Sequence, residues 1–305
     1  MLNLYIVGCG GIGGYVTQLL SECCASMCLD FLEHHQVDIS RFMSDDPAQC
    51  VIPSIVSSIT LIDGDEFEIH NAIRQGAGAG NKMAQRYHDL QDKMIRKTFL
   101  RNVRLDGFNN YITPANVHEI IPLVQPQATA ENLQAFEDLP YPHEFCESHM
   151  YLRHIPVIFI CVDNAKTRYE LSMYAESFDD VLVLNGGNEK TIGQVNVYER
   201  RNGQALDPNL PELFENIRPD IDKRPDELAC TMIAPKHDQV ALTNCAAAVK
   251  MMELFVHWVV NGTLSDFPGR KGQTVRYNEV VLDENVFKSL PINHPLSQQT
   301  QGGNP

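Results

Sequence analysis

Apolar positions gather in short runs that stop at glycine or at an acid. Leu2–Val7 (LNLYIV) carries β-branched and aromatic residues and meets Gly8-Cys9-Gly10-Gly11-Ile12-Gly13-Gly14 without a break. Val16, Leu19 and Leu20 then recur at helical spacing, which predicts strand, glycine turn and helix in that order. Ser58–Ile62 (SITLI) reads as the next strand and ends in Asp63-Gly64-Asp65. Lys82–Leu100 is polar-rich and predicts a helix, and a third strand is expected over Asn109–Thr113 (NNYIT). Pro156–Val162 (PVIFICV) is apolar throughout, as a strand covered on both faces requires, and runs into Asp163-Asn164. Val181–Leu184 (VLVL) repeats that form before Asn185-Gly186-Gly187. Gly193–Tyr198 (GQVNVY) alternates and reaches Arg201-Asn202-Gly203, a hairpin signal. Gln239–Val260 predicts a long helix.

Strands alternating with helices predict an α/β chain. The expected architecture is a doubly wound, Rossmann-like, mostly parallel sheet with a C-terminal antiparallel extension and helical insertions. One domain is expected over residues 1–290, with insertions near 32–53 and 122–155. Residues 291–305, rich in Gln, Pro, Asn and Gly, are expected to form a flexible tail. Ligands of such sheets sit beyond the carboxyl ends of the strands. Asp63, Asp65, Asp163 and Asn185 therefore fall on the same rim as the glycine turn.

Composition narrows the partners. With 24 Lys+Arg against 39 Asp+Glu, the net charge of −15 disfavours broad contact with nucleic-acid backbones or anionic membranes. The longest apolar stretch, Ala246–Val260, is broken by Lys250, Glu253 and His257 and is too short to span a bilayer. Met1–Val7 runs straight into the glycine turn without a basic segment, so no secretory signal is expected. Nine cysteines with no CxxC pair suit free thiols in a reducing compartment, so a cytoplasmic location is expected.

The glycine turn lets backbone amides approach a phosphate, with the helix N-terminus adding positive potential. A tight turn with no ligand is the lesser alternative, and a nicotinamide or flavin dinucleotide also fits it. Asp63 stands where a carboxylate accepts from ribose hydroxyls, or serves as a turn former beside Gly64. Asn71, Arg74 and Gln75 follow, then Gly80-Asn81-Lys82. An Asn/Arg/Lys set on the loop after the second strand suits the charges of a nucleoside triphosphate better than a dinucleotide.

The ordered set resembles the ThiF/MoeB/HesA family, the adenylating fold shared with ubiquitin-activating enzymes. Gly8, Gly10, Gly11 and Gly13 match its GxGGxG, Asp63 and Asp65 its strand ending DxD, and Asn71, Arg74 and Gln75 its N-x-x-R-Q. Lys82 follows a glycine, and Asp163 with Asn164 matches a strand ending D-N, with Arg168 after it. Thr243-Asn244 and Ala246-Ala247 are similar to the closing helix, so the resemblance covers most of residues 1–260. It implies that Asp63 holds the ribose, Asn71 and Arg74 the phosphates, and Lys82 the triphosphate of ATP. It implies that Asp163 helps to place Mg²⁺. The implied reaction is attack on the ATP α-phosphate by the C-terminal carboxylate of a small ubiquitin-like or sulfur-carrier protein, in a homodimer.

Some family members then pass the acyl group to a cysteine. Cys230, in Glu227-Leu228-Ala229-Cys230-Thr231, precedes the long helix on an expected loop, and a buried, inert cysteine is the other reading. Cys245 is expected in the helix core, and Cys9 as a small residue that fits the turn. His143, Cys146 and His149 are three apart, too sparse a set for a mononuclear metal site. Two further functions stay open: a nucleotide- or protein-binding member without turnover, and a nicotinamide-dependent oxidoreductase. The second would leave Asn71, Arg74 and Asp163 without a role.

Overall fold

The structure is a computed structural model and describes residues 1–34, 38, 40, 54–67, 80–96, 103–127, 154–188, 192–222, 241–262, 264, 277–282 and 287–291. β1 (Leu2–Val7) leads to α1 (Gly11–His34), β2 (Val56–Ile62) and a short ladder of β3 (Glu66–Phe67) with β4 (Gly80–Asn81). Next come α2 (Lys82–Arg96), β5 (Arg104–Phe108), α3 (Val117–Ile120), β6 (Ile155–Ile160) and α4 (Ala165–Ala175). β7 (Val181–Asn188), β8 (Ile192–Arg201), β9 (Gln204–Ala205) and α5 (Leu210–Leu213) follow. α6 (Ala241–Asn261), β10 (Tyr277–Leu282) and β11 (Phe287–Pro291) close the order.

The main sheet runs β11-β10-β8-β7-β6-β1-β2-β5, with β9 paired to β8. Strands β7, β6, β1, β2 and β5 are parallel, and β8, β10 and β11 continue it antiparallel. This is the expected α/β sheet with its antiparallel extension. β1, β2 and β6 are buried at every position, because helices cover both faces. On one face Leu4, Ile6, Ile59, Leu61 and Phe159 meet α1, α2 and α6. On the other, Tyr5, Val7, Ile158 and Ile160 meet α3, α4 and Ile112. Phe159 and Phe255 seal the first layer edge to face, with ring centroids 5.4 Å apart.

The third strand is displaced from its expected place. It is Arg104–Phe108, not Asn109–Thr113. As the edge of the sheet it is only partly covered, so it tolerates Arg104, Asp106 and Gly107 and lacks a buried strand's apolar signature. Ile112, which suggested a strand, instead drops from the following loop into the second core layer. The long helix begins at Ala241 among the described residues. Most of the expected insertions 32–53 and 122–155, and the tail beyond Pro291, lie outside the described residues.

Register decides where the site falls. Val7 pairs with Ile62 on one side and with Ile160 on the other. Gly8, Asp63 and Cys161 therefore leave the sheet at one level, at the point where strand order reverses.

Candidate active site

The glycine turn is shaped by close approach. Gly8 has φ +91°, and a Cβ there would lie 2.8 Å from the Cys161 carbonyl oxygen. A Cβ on Gly13 would lie 1.7 Å from the Gly8 oxygen, so the first turn of α1 sits directly on the end of β1. The Gly14 N–H donates to the Gly10 carbonyl at 2.9 Å and starts the helix. Ahead of that bond the first-turn amides have no partner within the helix and present the positive end of its dipole. Asn244 of α6 lies against Gly11, and its Oδ1 accepts from Asn188 Nδ2 at 2.5 Å.

Asp63 faces this turn. Its Oδ2 accepts the Cys9 N–H at 2.6 Å and its Oδ1 accepts the Asp65 N–H at 2.8 Å. Burial raises its pKa to about 6, against the pull of the Lys82 ammonium. The carboxylate is thus ionised at neutral pH and fixed in direction, with lone pairs left for a hydroxyl donor.

Asp65, on the far side of Gly64, turns toward α2. Its Oδ2 pairs with Lys82 Nζ at 2.9 Å, and its Oδ1 accepts from the Tyr111 hydroxyl. The lysine's backbone is anchored as well, because the Lys82 N–H donates to the Asp65 carbonyl at 3.0 Å. Asn81 caps α2 by accepting the Ala84 N–H at 2.9 Å. Burial works against the Lys82 charge, but Asp63, Asp65 and Asp163 together outweigh it and hold its pKa above the ordinary lysine value. Asp163 is exposed beyond β6 and within electrostatic reach of Lys82. Glycine turn, lysine and acids therefore gather at the carboxyl ends of β1, β2 and β6, and this rim is the candidate basin.

Comparison with solved structures follows the same lines. The E. coli MccB structure with succinimide aligns with a TM-score of 0.50 at 14% identity, over 97% of this chain and 66% of MccB. The E. coli MccB structure with ATP aligns with a TM-score of 0.50 at 15% identity, over 94% of this chain and 62% of MccB. PaaA aligns with a TM-score of 0.48 at 14% identity, over 95% of this chain and 63% of PaaA. The chain has a ThiF-like fold. It spans just under two thirds of the length of these structures. No family model matches the sequence, and no curated protein matches it.

Within the ThiF-like fold the remaining expected residues divide. Asn164 caps α4, its Oδ1 accepting the Thr167 N–H at 2.8 Å. Arg168 staples the ends of β6 and β7, with Nη1 on Asn185 Oδ1 at 3.1 Å and Nη2 on the Val162 and Gly186 carbonyls. Burial lowers its pKa, and Asp163 pulls the other way. Asn71, Arg74, Gln75 and Cys230 lie outside the described residues, as do His143, Cys146 and His149. The ends of the segment holding Asn71, Arg74 and Gln75 are described: Phe67 pairs with Gly80 across the β3–β4 ladder, beside Lys82. Cys9 and Cys161 are held in the thiol form, because burial drives Cys9 well above its usual value and Cys161 to about 12.

Sequence reading missed Tyr111, Asp222 and the contact of Asn244 with Gly11. The Asp222 carboxylate accepts the Ala165 and Lys166 N–H groups at 2.8 and 3.0 Å, closing the N-terminus of α4 next to Asp163. None of the three carries a local signal, because each meets its partner only through the fold. A separate cavity of about 260 Å³ opens between α3 and α4, lined by apolar groups of Ile112, Val117, Tyr169 and Met173. It touches none of the acids or the lysine described above. Among the described residues, no group of three or more His, Cys, Asp or Glu could hold a metal ion, and no helix is long and apolar enough to cross a membrane.

Proposed function

We propose that the chain binds ATP in this basin and adenylates the C-terminal carboxylate of a small protein or peptide. One observation carries the reading: Lys82 sits in the combined field of Asp63, Asp65 and Asp163, beside the glycine turn. The Lys82 ammonium and the amides at the start of α1 offer positive charge to phosphates, while Asp63 offers an acceptor to ribose hydroxyls. A ThiF-like fold, shared with a protein whose structure holds ATP, agrees with it.

The chain's residues have separate tasks. Amides at the start of α1 receive phosphate oxygens, and Asp63 accepts from ribose hydroxyls. Lys82 leaves its pair with Asp65 for the phosphates and draws charge toward the leaving pyrophosphate. Arg74 adds a second cation, and the carboxamides of Asn71 and Gln75 add hydrogen-bond donors, from the segment between β3 and β4. The attacking carboxylate is ionised at neutral pH, so no strong general base is required and alignment does most of the work. The oxygen donors present suit Mg²⁺: Asp163 offers an exposed carboxylate on the rim, and this ion is commonly held by one or two carboxylates with substrate phosphates. When bound, it neutralises phosphate charge.

The partner is a small ubiquitin-like protein, a sulfur carrier or a peptide with a free C-terminus, and the active form is a homodimer. Cys230 receives the acyl group as a thioester. Asp222 and α6 flank the segment that contains it, and both touch the rim, at Ala165 and at Gly11.

ATP–pyrophosphate exchange with a panel of such proteins and peptides tests this. Exchange is expected for a free C-terminus and not for its amide, with a loss of at least a hundredfold in Asp163→Ala. A thiol-sensitive conjugate is expected to disappear in Cys230→Ala while exchange remains. Absence of ATP binding, or NADH binding in its place, overturns the reading.

A further inference from the structure

The acid that pairs with Lys82 has a second partner that no motif contains. The Tyr111 hydroxyl donates to Asp65 Oδ1 while Lys82 Nζ holds Oδ2, so both oxygens of one carboxylate are taken from opposite sides. The backbone of Asp65 is independently fixed. Its N–H donates to Asp63, and its carbonyl accepts from the Lys82 N–H and from Asn81 Nδ2 at 3.0 Å. Only the torsion of the side chain is left open. With the Asp65 side chain 32% exposed, water competes for it.

The tyrosine is itself immobilised. A Cβ on Gly64 would lie 2.8 Å from the Tyr111 nitrogen and 2.9 Å from its ring, so one edge of the ring packs closely on the backbone between Asp63 and Asp65. Any residue but glycine there would push the ring away. The Tyr111 carbonyl accepts from Asn116 Nδ2 at 2.9 Å, which ties the loop to the start of α3. Both neighbours of the ring thus serve to bring one hydroxyl to one carboxylate oxygen.

We propose that Tyr111 is a positioning residue for Lys82: by locking the Asp65 carboxylate, it aims the ammonium across the basin toward the glycine turn. The idea rests on the adenylation reading for its purpose and not for its geometry. With the hydroxyl present, Asp65 holds Lys82 in one direction, and an arriving polyphosphate needs only to take over a poised ammonium. Without it, the carboxylate rotates into water and the lysine becomes one more flexible cation. The effect belongs to the catalytic step more than to binding, since the charge in the basin is unchanged.

Tyr111→Phe keeps the ring on Gly64 and removes only the hydroxyl. On the full chain without ligands, lysines are dimethylated with ¹³C-formaldehyde and the Lys82 resonance, assigned by Lys82→Arg, is titrated by NMR. Asp63, Asp65 and Asp163 are the acids that act on this group. Its midpoint is expected to fall by roughly one pH unit in Tyr111→Phe, as a held counter-charge is lost. No further fall is expected when the change is made in Asp65→Asn. In exchange assays kcat is expected to drop about tenfold, with the ATP dissociation constant within twofold of the parent.

An unmoved or raised midpoint overturns the proposal, as does an equal loss with or without Asp65. If the midpoint falls while no partner supports exchange, the positioning stands and the adenylation reading fails. If exchange is robust and unaffected by Tyr111→Phe, the adenylation reading stands and the positioning role fails.

Discussion

At the scale of single residues, Asp63 carries the sharpest consequence. Its carboxylate is buried, and the Cys9 and Asp65 amides only partly offset the loss of water. The folded pKa of about 6 lies above the ordinary aspartate value of 3.8. Between those values the folded chain keeps a proton that the unfolded chain has released. The group's contribution to stability is therefore fully present below pH 4 and is lost as pH rises through 6. The loss is on the order of 2–3 kcal/mol for a shift of this size. Urea denaturation between pH 4 and 7 is expected to show that slope in the parent chain and not in Asp63→Asn. Equal slopes in the two would place the carboxylate in water. The slope is the cost of keeping an ionised acid buried against the glycine turn.

At the scale of elements, helix ends do most of the positioning. α1 begins on the glycine turn, α2 begins at Lys82 under the Asn81 cap, and α4 begins beside Asp163. The start of α4 is held twice, by Asn164 from within and by Asp222 from fifty-seven residues away. Asp222 gives that helix an anionic cap and ties the end of the described segment 192–222 to the rim. Asp222→Ala is expected to cost about 1 kcal/mol in urea denaturation, and Asp222→Asn less, since the amide oxygen still accepts one N–H. If both variants unfold like the parent, the cap is redundant. The β8–β9 hairpin shows local chemistry of the same kind, with Asn202 at φ 50° and Gly203 at φ 76° supplying the left-handed corner.

At the scale of the whole molecule, the parallel strands order the chemistry. Strand order β5-β2-β1-β6-β7 opens a crevice between β1 and β6, and both layers of the core hold its two walls. A ligand that binds there binds only the folded chain, so it stabilises the fold by mass action. At a hundredfold excess of ATP over its dissociation constant, the gain is about 2.7 kcal/mol. In a chain of 305 residues the melting temperature is expected to rise by roughly 4 °C with ATP. NADH is expected to leave it unchanged, and the reverse pattern would point to a dinucleotide site.

Much of this was already written in the order of the residues. Strand, glycine turn and helix, the acids closing β2 and β6, and the hairpin corner are encoded within windows of a few residues. Periodicity and turn chemistry act over that range, so these elements and their common rim were legible without the fold. The edge strand was not, since partial exposure lets Arg104, Asp106 and Gly107 into β5 and removes the apolar signal. Nor were the pairings that complete the basin. Tyr111 reaches Asp65 across forty-six residues, and Asn244 reaches Gly11 from a helix near the other end of the chain. Those meetings depend on how the strands register and how the helices pack over them. Only the assembled sheet, with both faces covered, decides which of these distant side chains meet.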